Sequence, residues 1–255
     1  MKYKWPYENE LGQEERAECD VLVLGGGMAG CYAAIAAARA GKRVILMEKG
    51  AVERSGSAGS GVDHWESACT NPCSKVSAEE IAKAYIDEQD GYSNGIAHYI
   101  ECEEGWHRLK DMEGFGGKIR DTEGEFKGAD FRDEKTGLMF AYDYENKFTI
   151  RIWGSTFKPA LLRELRRQGV KLYERTEATA LLTRNESGEK IGCGAIGMDV
   201  HTGKLVVVSA KTVVLAMSRP ARCWLFDADT PGLCEFRPFQ SIELGIGDGS
   251  RDVIE

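Results

Sequence analysis

The fold is decided by one stretch near the start of the chain, residues 19–30, which reads CDVLVLGGGMAG. Its apolar half, residues 20–24, is typical of a buried parallel strand. After the glycines, the alanine-rich segment from Cys31 to Ala40 predicts a helix, and Gly41 predicts its end. Residues 43–48 then form a second apolar run that closes on an acid. Together these segments predict one complete βαβ unit.

The glycines of this unit match the pattern G-x-G-x-x-G, and Glu48 follows 18 residues after the last of them. The pattern alone is a weak signal, but between a strand and a helix, and followed by such an acid, it predicts a dinucleotide-binding site. Gly25 would allow a tight turn, Gly27 a close approach of the backbone to a pyrophosphate, and Gly30 close packing of helix and sheet. A glycine-rich turn without a ligand is the alternative.

The helix after the turn and the acid after the second strand would hold the two ends of an adenosine diphosphate. The helix begins near Met28 and Ala29, where free N–H groups and the positive end of the helix dipole would meet the phosphates. Glu48 would accept hydrogen bonds from the ribose hydroxyls. Its charge also disfavours the 2′-phosphate of NADP.

A second segment rich in glycine and serine follows Glu48 and bears on the choice between FAD and NAD. A loop that leaves the ribose-binding strand can follow an extended cofactor toward its distal ring, and small residues would let backbone N–H groups meet a flavin. A plain flexible loop is the alternative. We favour FAD, with these loop residues in contact: Lys49, Arg54, Ser55, Gly56, Ser57, Ser60 and Gly61.

Composition restricts the class of protein and of partner. The 255 residues are 42% hydrophobic and 29% charged, with a net charge of -8, and these proportions are ordinary for a globular protein. The acidic balance argues against nucleic acid or an anionic membrane surface as the partner. No run approaches the ~18 apolar residues of a membrane span. Because residues 1–16 also lack a signal-peptide pattern, we expect a cytoplasmic protein.

Eight cysteines are present, and their spacings are irregular. Cys69 and Cys73 form the only close pair, and three residues separate them instead of the two of common metal and redox motifs. We therefore predict free thiols in a reducing compartment, with no metal site.

The remaining chain predicts three further helices and several strands. Ser77 and Glu80 form a capping box, which predicts a helix from Ala78 to about Asp90. Amphipathic segments predict helices from Ile96 to Met112 and from Lys158 to Arg167. Strands are predicted at residues 148–152, 171–173, 177–182, 192–200, 204–209 and 211–216. The fourth and fifth form a hairpin, and the last is a buried strand that returns to the parallel sheet.

These motifs resemble the flavoprotein subunit of the fumarate reductase and succinate dehydrogenase superfamily, in particular its adenylylsulfate-reductase-alpha-like branch. The resemblance rests on residues 20–49, 53–61, 158–183, 210–218 and 245–249. It implies an α/β fold with a Rossmann-like, glutathione-reductase-like FAD-binding domain, in which a parallel sheet carries an inserted β-hairpin or meander. This domain would cover residues 19–255, after an N-terminal extension of residues 1–18.

The resemblance implies further site residues in the second half of the chain. The backbone at Ala178 and Thr179 would meet the adenine. Ala216, Met217 and Ser218 stand where the family usually has Ala-Thr-Gly, and they would pass near the cofactor.

The flavin end of the site carries one match to the family and one departure. Asp248 would be the acid of a Gly-Asp-Gly motif at the flavin, with a turn acid as the alternative. Where respiratory members bond a histidine to the flavin, this chain has Gly56, so the resemblance implies noncovalent FAD. His64 lies eight residues further on, and we interpret it as a pocket or surface residue.

Family members continue with a capping domain that carries the substrate-binding histidine and arginines. This sequence stops six residues after Gly249, so we expect the capping domain to be absent. The chain is then either a fragment or a short form that borrows the rest from a partner.

The resemblance implies an FAD-dependent oxidoreductase that passes electrons between noncovalent FAD, a small-molecule substrate and an iron–sulfur partner. We identify no catalytic acid or base, because no residue has the required context. Two alternatives are a non-catalytic FAD-binding module that acts only in a complex and a thiazole-synthase-like protein. The Gly-Asp-Gly ending and residues 54–61 fit the reductases better than the thiazole synthases.

Overall fold

The computed structural model describes residues 5–217 and the backbone of two short strands at residues 224–226 and 234–236. The chain forms two compact units. The first comprises residues 1–59 and 161–255, and the second comprises residues 60–160. The predicted FAD-binding domain, residues 19–255, therefore contains parts of two compact units.

In chain order the elements are β1 (Glu14–Leu24), α1 (Met28–Arg39), β2 (Val44–Glu48), β3 (His64–Trp65), α2 (Ala78–Glu88), α3 (Gly95–Gly114), β4 (Met139–Phe140), β5 (Ile150–Arg151), α4 (Phe157–Arg167), β6 (Lys171–Glu174), β7 (Thr176–Glu186), β8 (Glu189–Asp199), β9 (Leu205–Leu215), β10 (Trp224–Phe226) and β11 (Cys234–Phe236). The predicted helices are found to within three residues at each end, and the largest difference is at α1, which begins at Met28 instead of Cys31. None of the described helices is long and apolar enough to cross a bilayer.

The first unit is built on a six-stranded sheet in the order β6-β2-β1-β9-β8-β7. The neighbouring strands β6, β2, β1 and β9 run parallel to one another. The strands β9, β8 and β7 form an antiparallel meander. This arrangement confirms the predicted βαβ unit, the parallel sheet and the inserted meander.

The first strand begins at Glu14, six residues before the predicted start at Asp20. Its early part pairs in parallel with β9, from Glu14 opposite Leu205 onward. Glu14, Arg16 and Glu18 are exposed. Because these charged residues alternate along the start of β1, this part of the strand does not form an apolar run, and so it was not predicted. The predicted boundary between residues 18 and 19 therefore falls inside β1.

The two strands predicted at residues 204–209 and 211–216 are a single strand, β9. Its first half pairs with β8 on one side, and the whole strand pairs with β1 on the other. No glycine or proline lies between Leu205 and Leu215, so the backbone passes from the meander into the parallel sheet without a break. Leu215 is 57% exposed, so the end of this strand is not buried as predicted.

The core of the first unit gathers small and branched side chains from β1, β2 and the meander. All five residues of β2 are buried, and the last of them is the acid Glu48. The main cluster consists of Cys19, Leu22, Leu24, Ile45, Met47, Ala178, Ala195, Val206, Val208 and Ala210.

The second unit contains α2, α3 and a small sheet in the order β3-β5-β4. The capping box of α2 is formed as predicted: Glu80 N donates to Ser77 Oγ at 3.2 Å, and Ser77 N donates to Glu80 Oε2 at 2.8 Å. After α3, the chain folds around the buried carboxylate of Asp121. This carboxylate accepts a hydrogen bond from Arg132 Nε at 2.7 Å.

A buried acid in α4 links that helix to α1 within the first unit. Only 4% of the Glu164 side chain is exposed. Its Oε1 accepts hydrogen bonds from Arg39 Nη2 at 3.0 Å and Gln168 Nε2 at 2.9 Å, and its Oε2 accepts one from Arg167 Nε at 2.6 Å. Arg167 contributes most to lowering the pKa of Glu164 from 4.5 to about 2, against the opposing effect of burial.

We predict that Glu164→Gln destabilises the fold in a pH-dependent way. Because the folded-state pKa is depressed, the stabilisation is complete above pH ~4.5 and is lost as the pH falls toward ~2. The difference in unfolding free energy from wild type should reach at most about 3 kcal/mol at pH 7. Urea unfolding followed by circular dichroism at pH 7 and at pH 3 measures it.

The matched control is Glu186→Gln, since the Glu186 side chain is 56% exposed beside Arg184 and such pairs contribute little. If Glu164→Gln lowered the unfolding free energy equally at pH 7 and at pH 3, the stabilising role assigned to the ionised Glu164 would be contradicted.

Candidate functional site

Two glycines of the first turn are required by the fold itself. Gly25 has φ +98° and donates its N–H to the Met47 carbonyl at 2.8 Å. A Cβ there would collide with the carbonyl oxygen of Ala216. A Cβ on Gly30 would collide with the carbonyl oxygen of Gly25 and lie 3.3 Å from Ala216 Cβ. These contacts agree with the predicted tight turn and close helix packing.

Gly27 differs from the other two, because the fold does not require a glycine there. Its φ of -63° and ψ of -176° are open to any residue. Among the described residues, a Cβ would have its nearest neighbour, Gly56 Cα, at 3.7 Å, an ordinary contact distance. The room beside Gly27 is the space that a pyrophosphate at the helix end would take.

The amino end of α1 is suited to an anion. Within the described residues, no side chain caps this end, and the first turn carries no acid. The N–H groups at the start of a helix have no partner inside the helix, so those at Met28 and Ala29 point outward together with the positive end of the dipole. The residues present therefore fit the phosphates of a dinucleotide.

Glu48 joins the first turn to the loop that follows β2. The residue is 8% exposed. Its Oε2 accepts a hydrogen bond from Gly26 N at 2.5 Å, and its Oε1 accepts one from Gly50 N at 2.8 Å. A carboxylate offers about four acceptor positions, and the two bonds found within the described residues use two of them, which leaves acceptor positions for ribose hydroxyls.

The second loop lies against the first turn. Ser55 Oγ donates to the Gly26 carbonyl at 2.9 Å. Gly56 has φ +77°, and a Cβ on it would lie 2.8 Å from Gly27 Cα. The structure therefore brings Ser55 and Gly56 of the predicted loop residues next to the predicted pyrophosphate site.

For the other predicted loop residues, the structure assigns no role in binding. Lys49, Arg54 and Ser57 are exposed. Ser60 and Gly61 belong to the second unit, where Gly61 has φ +101° and a Cβ on it would lie 3.2 Å from Ser155 Cα. Their contacts with a cofactor remain predictions.

The predicted adenine contact falls on an irregularity of β7. The pairing with β8 shifts register between Ala178 and Ala180, so Thr179 is the extra residue of a β-bulge. Ala178 is 7% exposed and belongs to the core, whereas Thr179 is exposed and donates its hydroxyl to the Ile196 carbonyl at 3.3 Å. The extra residue of a bulge is left unpaired in the hydrogen-bond ladder between the two strands. A backbone contact to adenine requires such unpaired N–H or carbonyl groups.

Of the predicted residues after β9, two are described. Ala216 N donates to the Leu24 carbonyl at 2.8 Å, and Ala216 contacts Gly25 and Gly30 as above. Met217 packs against the core cluster. Ser218 and Asp248 lie outside the described residues, so their proposed roles remain predictions.

Glu174, the last residue of β6, lies beside the site but was not among the predicted site residues. In the parallel pairing Glu174 stands opposite Glu48, and its Oε1 accepts a hydrogen bond from Val52 N at 2.7 Å. An acid at the end of a strand, as at Glu48, could have indicated a role for Glu174. That prediction would have required knowing that β6 pairs with β2.

The cysteines and other metal-ligating residues form no metal site in the part of the chain that the structure describes. No group of three or more His, Cys, Asp or Glu residues there could hold a metal ion. Burial, more than its neighbour Cys102, raises the pKa of the Cys69 thiol to about 12, so its reactive thiolate scarcely forms at neutral pH.

Comparison with known proteins places this geometry in a family. The family described as "FAD binding domain" matches residues 20–250. One subunit of the CoM/CoB fumarate reductase of Methanothermobacter marburgensis is 26% identical over 216 residues, which are 80% of this chain and 36% of that protein.

Solved structures share the fold. Adenylylsulfate reductase from Archaeoglobus fulgidus superposes with a TM-score of 0.68 at 24% identity over 87% of this chain and 34% of that one. A flavocytochrome c3 fumarate reductase in its open conformation gives 0.62 at 19% identity over 81% and 35%. The chain thus spans about a third of the length of these relatives.

The family match covers most of the chain and includes the glycine turn, Glu48 and the second loop. It confirms the predicted FAD-binding fold and FAD as the cofactor. The chain belongs to the FAD-binding domain family.

Proposed function

We propose that the chain is the FAD-holding part of an oxidoreductase of the fumarate reductase and succinate dehydrogenase superfamily, with the cofactor bound noncovalently. The observation that supports the proposal is the space beside Gly27, which the described part of the chain leaves open and a pyrophosphate would fill. Bound FAD would supply hydride and single-electron transfer. The chain itself would bind the cofactor and orient it.

Each part of the site has a role in this proposal. The turn from Gly25 to Gly30 and the amino end of α1 hold the pyrophosphate, and Glu48 holds the ribose. Thr179 and its neighbour Ala178 present backbone groups to the adenine. The remaining proposed contacts are Lys49, Arg54, Ser55, Gly56, Ser57, Ser60, Gly61, Ala216, Met217, Ser218 and Asp248.

The redox partners follow from the resemblance and from the archaeal relative. The name of that relative describes one subunit of a fumarate reductase, and a single subunit implies a larger assembly. We therefore propose that an iron–sulfur protein is the partner that exchanges electrons with the flavin, and that the substrate is a small molecule. A cytoplasmic location stays a prediction.

We expect Gly27→Ala to weaken FAD binding without disturbing the fold. The backbone at Gly27 accepts alanine, and the added methyl group has room in the free protein, but it would occupy the space of the pyrophosphate. FAD affinity should fall about tenfold or more, with an unchanged thermal unfolding midpoint of the ligand-free protein. Quenching of flavin fluorescence during titration measures the affinity.

Gly192→Ala is the control, since a Cβ at this position in β8 meets no atom of residues 5–217 within 4 Å. Wild-type affinity in the Gly27→Ala protein would show that the pyrophosphate is not at this turn.

Noncovalent attachment predicts that acid precipitation separates protein and cofactor. The position of the family's covalent histidine is Gly56, which has no side chain to bond the flavin. Absorbance near the flavin maximum should appear in the supernatant, and the pellet should be colourless. Flavin retained in a washed, denatured pellet would contradict this part of the proposal.

The FAD-loaded chain can also be tested for turnover with reduced methyl viologen as the electron donor and fumarate as the acceptor. Steady oxidation of the dye that depends on both FAD and fumarate would support an oxidoreductase acting on dicarboxylates. Tight FAD binding without turnover would instead favour the alternative of a module that needs a partner.

A further inference from the structure

Glu174 fixes the loop that follows β2. The residue ends β6, directly beside Glu48 at the end of β2. Its carboxylate oxygen Oε1 accepts a hydrogen bond from Val52 N at 2.7 Å. Two neighbouring strands of the parallel sheet thus end in carboxylates, and each carboxylate accepts backbone N–H groups of the same loop.

The bond to Val52 cannot be replaced by water without movement of the loop. Val52 has an exposed fraction of 0%, and a buried N–H without an acceptor is costly. Arg175, the residue after Glu174, adds a second connection to the loop, because its N–H donates to the Gly50 carbonyl at 2.9 Å. Arg175 has φ +59°, and its own carbonyl accepts a bond from Val200 N at 2.8 Å, so this conformation is held from both sides.

Because Val52 is held in place, the residues that follow it in the loop are also positioned beside the glycine turn. Ser55 Oγ lies 3.4 Å from the Val52 carbonyl and 2.9 Å from the Gly26 carbonyl. Gly56 follows and lies against Gly27. If the Val52 amide loses its acceptor, the segment from Val52 to Gly56 loses its placement against the first turn.

We infer that Glu174 is a positioning residue for FAD, which acts by holding the Val52 amide and thereby the second cofactor loop. The inference rests on the proposed function, in which this loop and Gly27 contact the cofactor. In this role, Glu174 needs an oxygen that accepts a hydrogen bond and a side chain long enough to reach the Val52 amide. Its negative charge is not required for FAD binding.

Three variants separate these properties. Glu174→Gln keeps an oxygen acceptor at the same distance and removes the charge. Glu174→Asp keeps the charge and withdraws the carboxylate by one methylene group. Glu174→Ala removes both, and Glu189→Ala, at an exposed glutamate that begins β8, serves as the control.

The measurement is the Kd of FAD by fluorescence titration, together with hydrogen exchange of residues 48–58 in the ligand-free proteins. Glu174→Gln and Glu189→Ala should stay within about threefold of wild type, whereas Glu174→Ala should bind FAD about tenfold more weakly and exchange faster in this loop. Glu174→Asp should also bind more weakly than Glu174→Gln. This last comparison carries the test if the alanine variant does not fold.

Wild-type FAD affinity in Glu174→Asp and Glu174→Ala would overturn the inference. So would a loss in Glu174→Gln as large as that in Glu174→Ala, since the charge would then be the property that matters. Failure of the wild-type chain to bind FAD would overturn the proposed function instead, so the two failures are distinguishable.

Discussion

The site depends on one buried carboxylate at the end of a fully buried strand. Glu48 closes β2, and its two oxygens accept the N–H groups of Gly26 and Gly50. A buried carboxylate is tolerated only when it is well bonded, so these contacts hold in one arrangement the glycine turn that precedes α1 and the loop that leaves β2. The acid that would bind a ribose is therefore also the residue that assembles the loops around it.

The glycines around this carboxylate are present for two different reasons. Gly25 and Gly30 allow backbone atoms of the turn and of Ala216 to approach one another, and these contacts exist without any ligand. A Cβ on Gly27 would approach only Gly56 among the described residues, at an ordinary 3.7 Å, so the lack of a side chain there leaves open space at the end of a helix. This contrast separates residues that build the fold from one whose identity is explained by a cofactor.

Local signals were sufficient to predict the βαβ unit, the capping box at Ser77 and the ends of the helices. They failed where pairing between distant strands decides the structure. The charged start of β1 at Glu14 is a strand because β9 pairs with it, and the bulge at Thr179 exists only relative to β8. Glu174 likewise gains its role from the pairing of β6 with β2, which no single segment of the sequence reveals. The resemblance to a known family supplied Ala178 and Thr179, which patterns alone did not identify.

The central claim is that the chain recognises the adenosine diphosphate half of FAD through the glycine turn and Glu48. Isothermal titration of the ligand-free chain with FAD, and separately with FMN, tests it most directly, because FMN carries the same flavin ring without that half. We expect one FAD bound per chain and no measurable binding of FMN at the same concentrations. Equal affinity for the two flavins, or no heat on adding FAD, would contradict the claim.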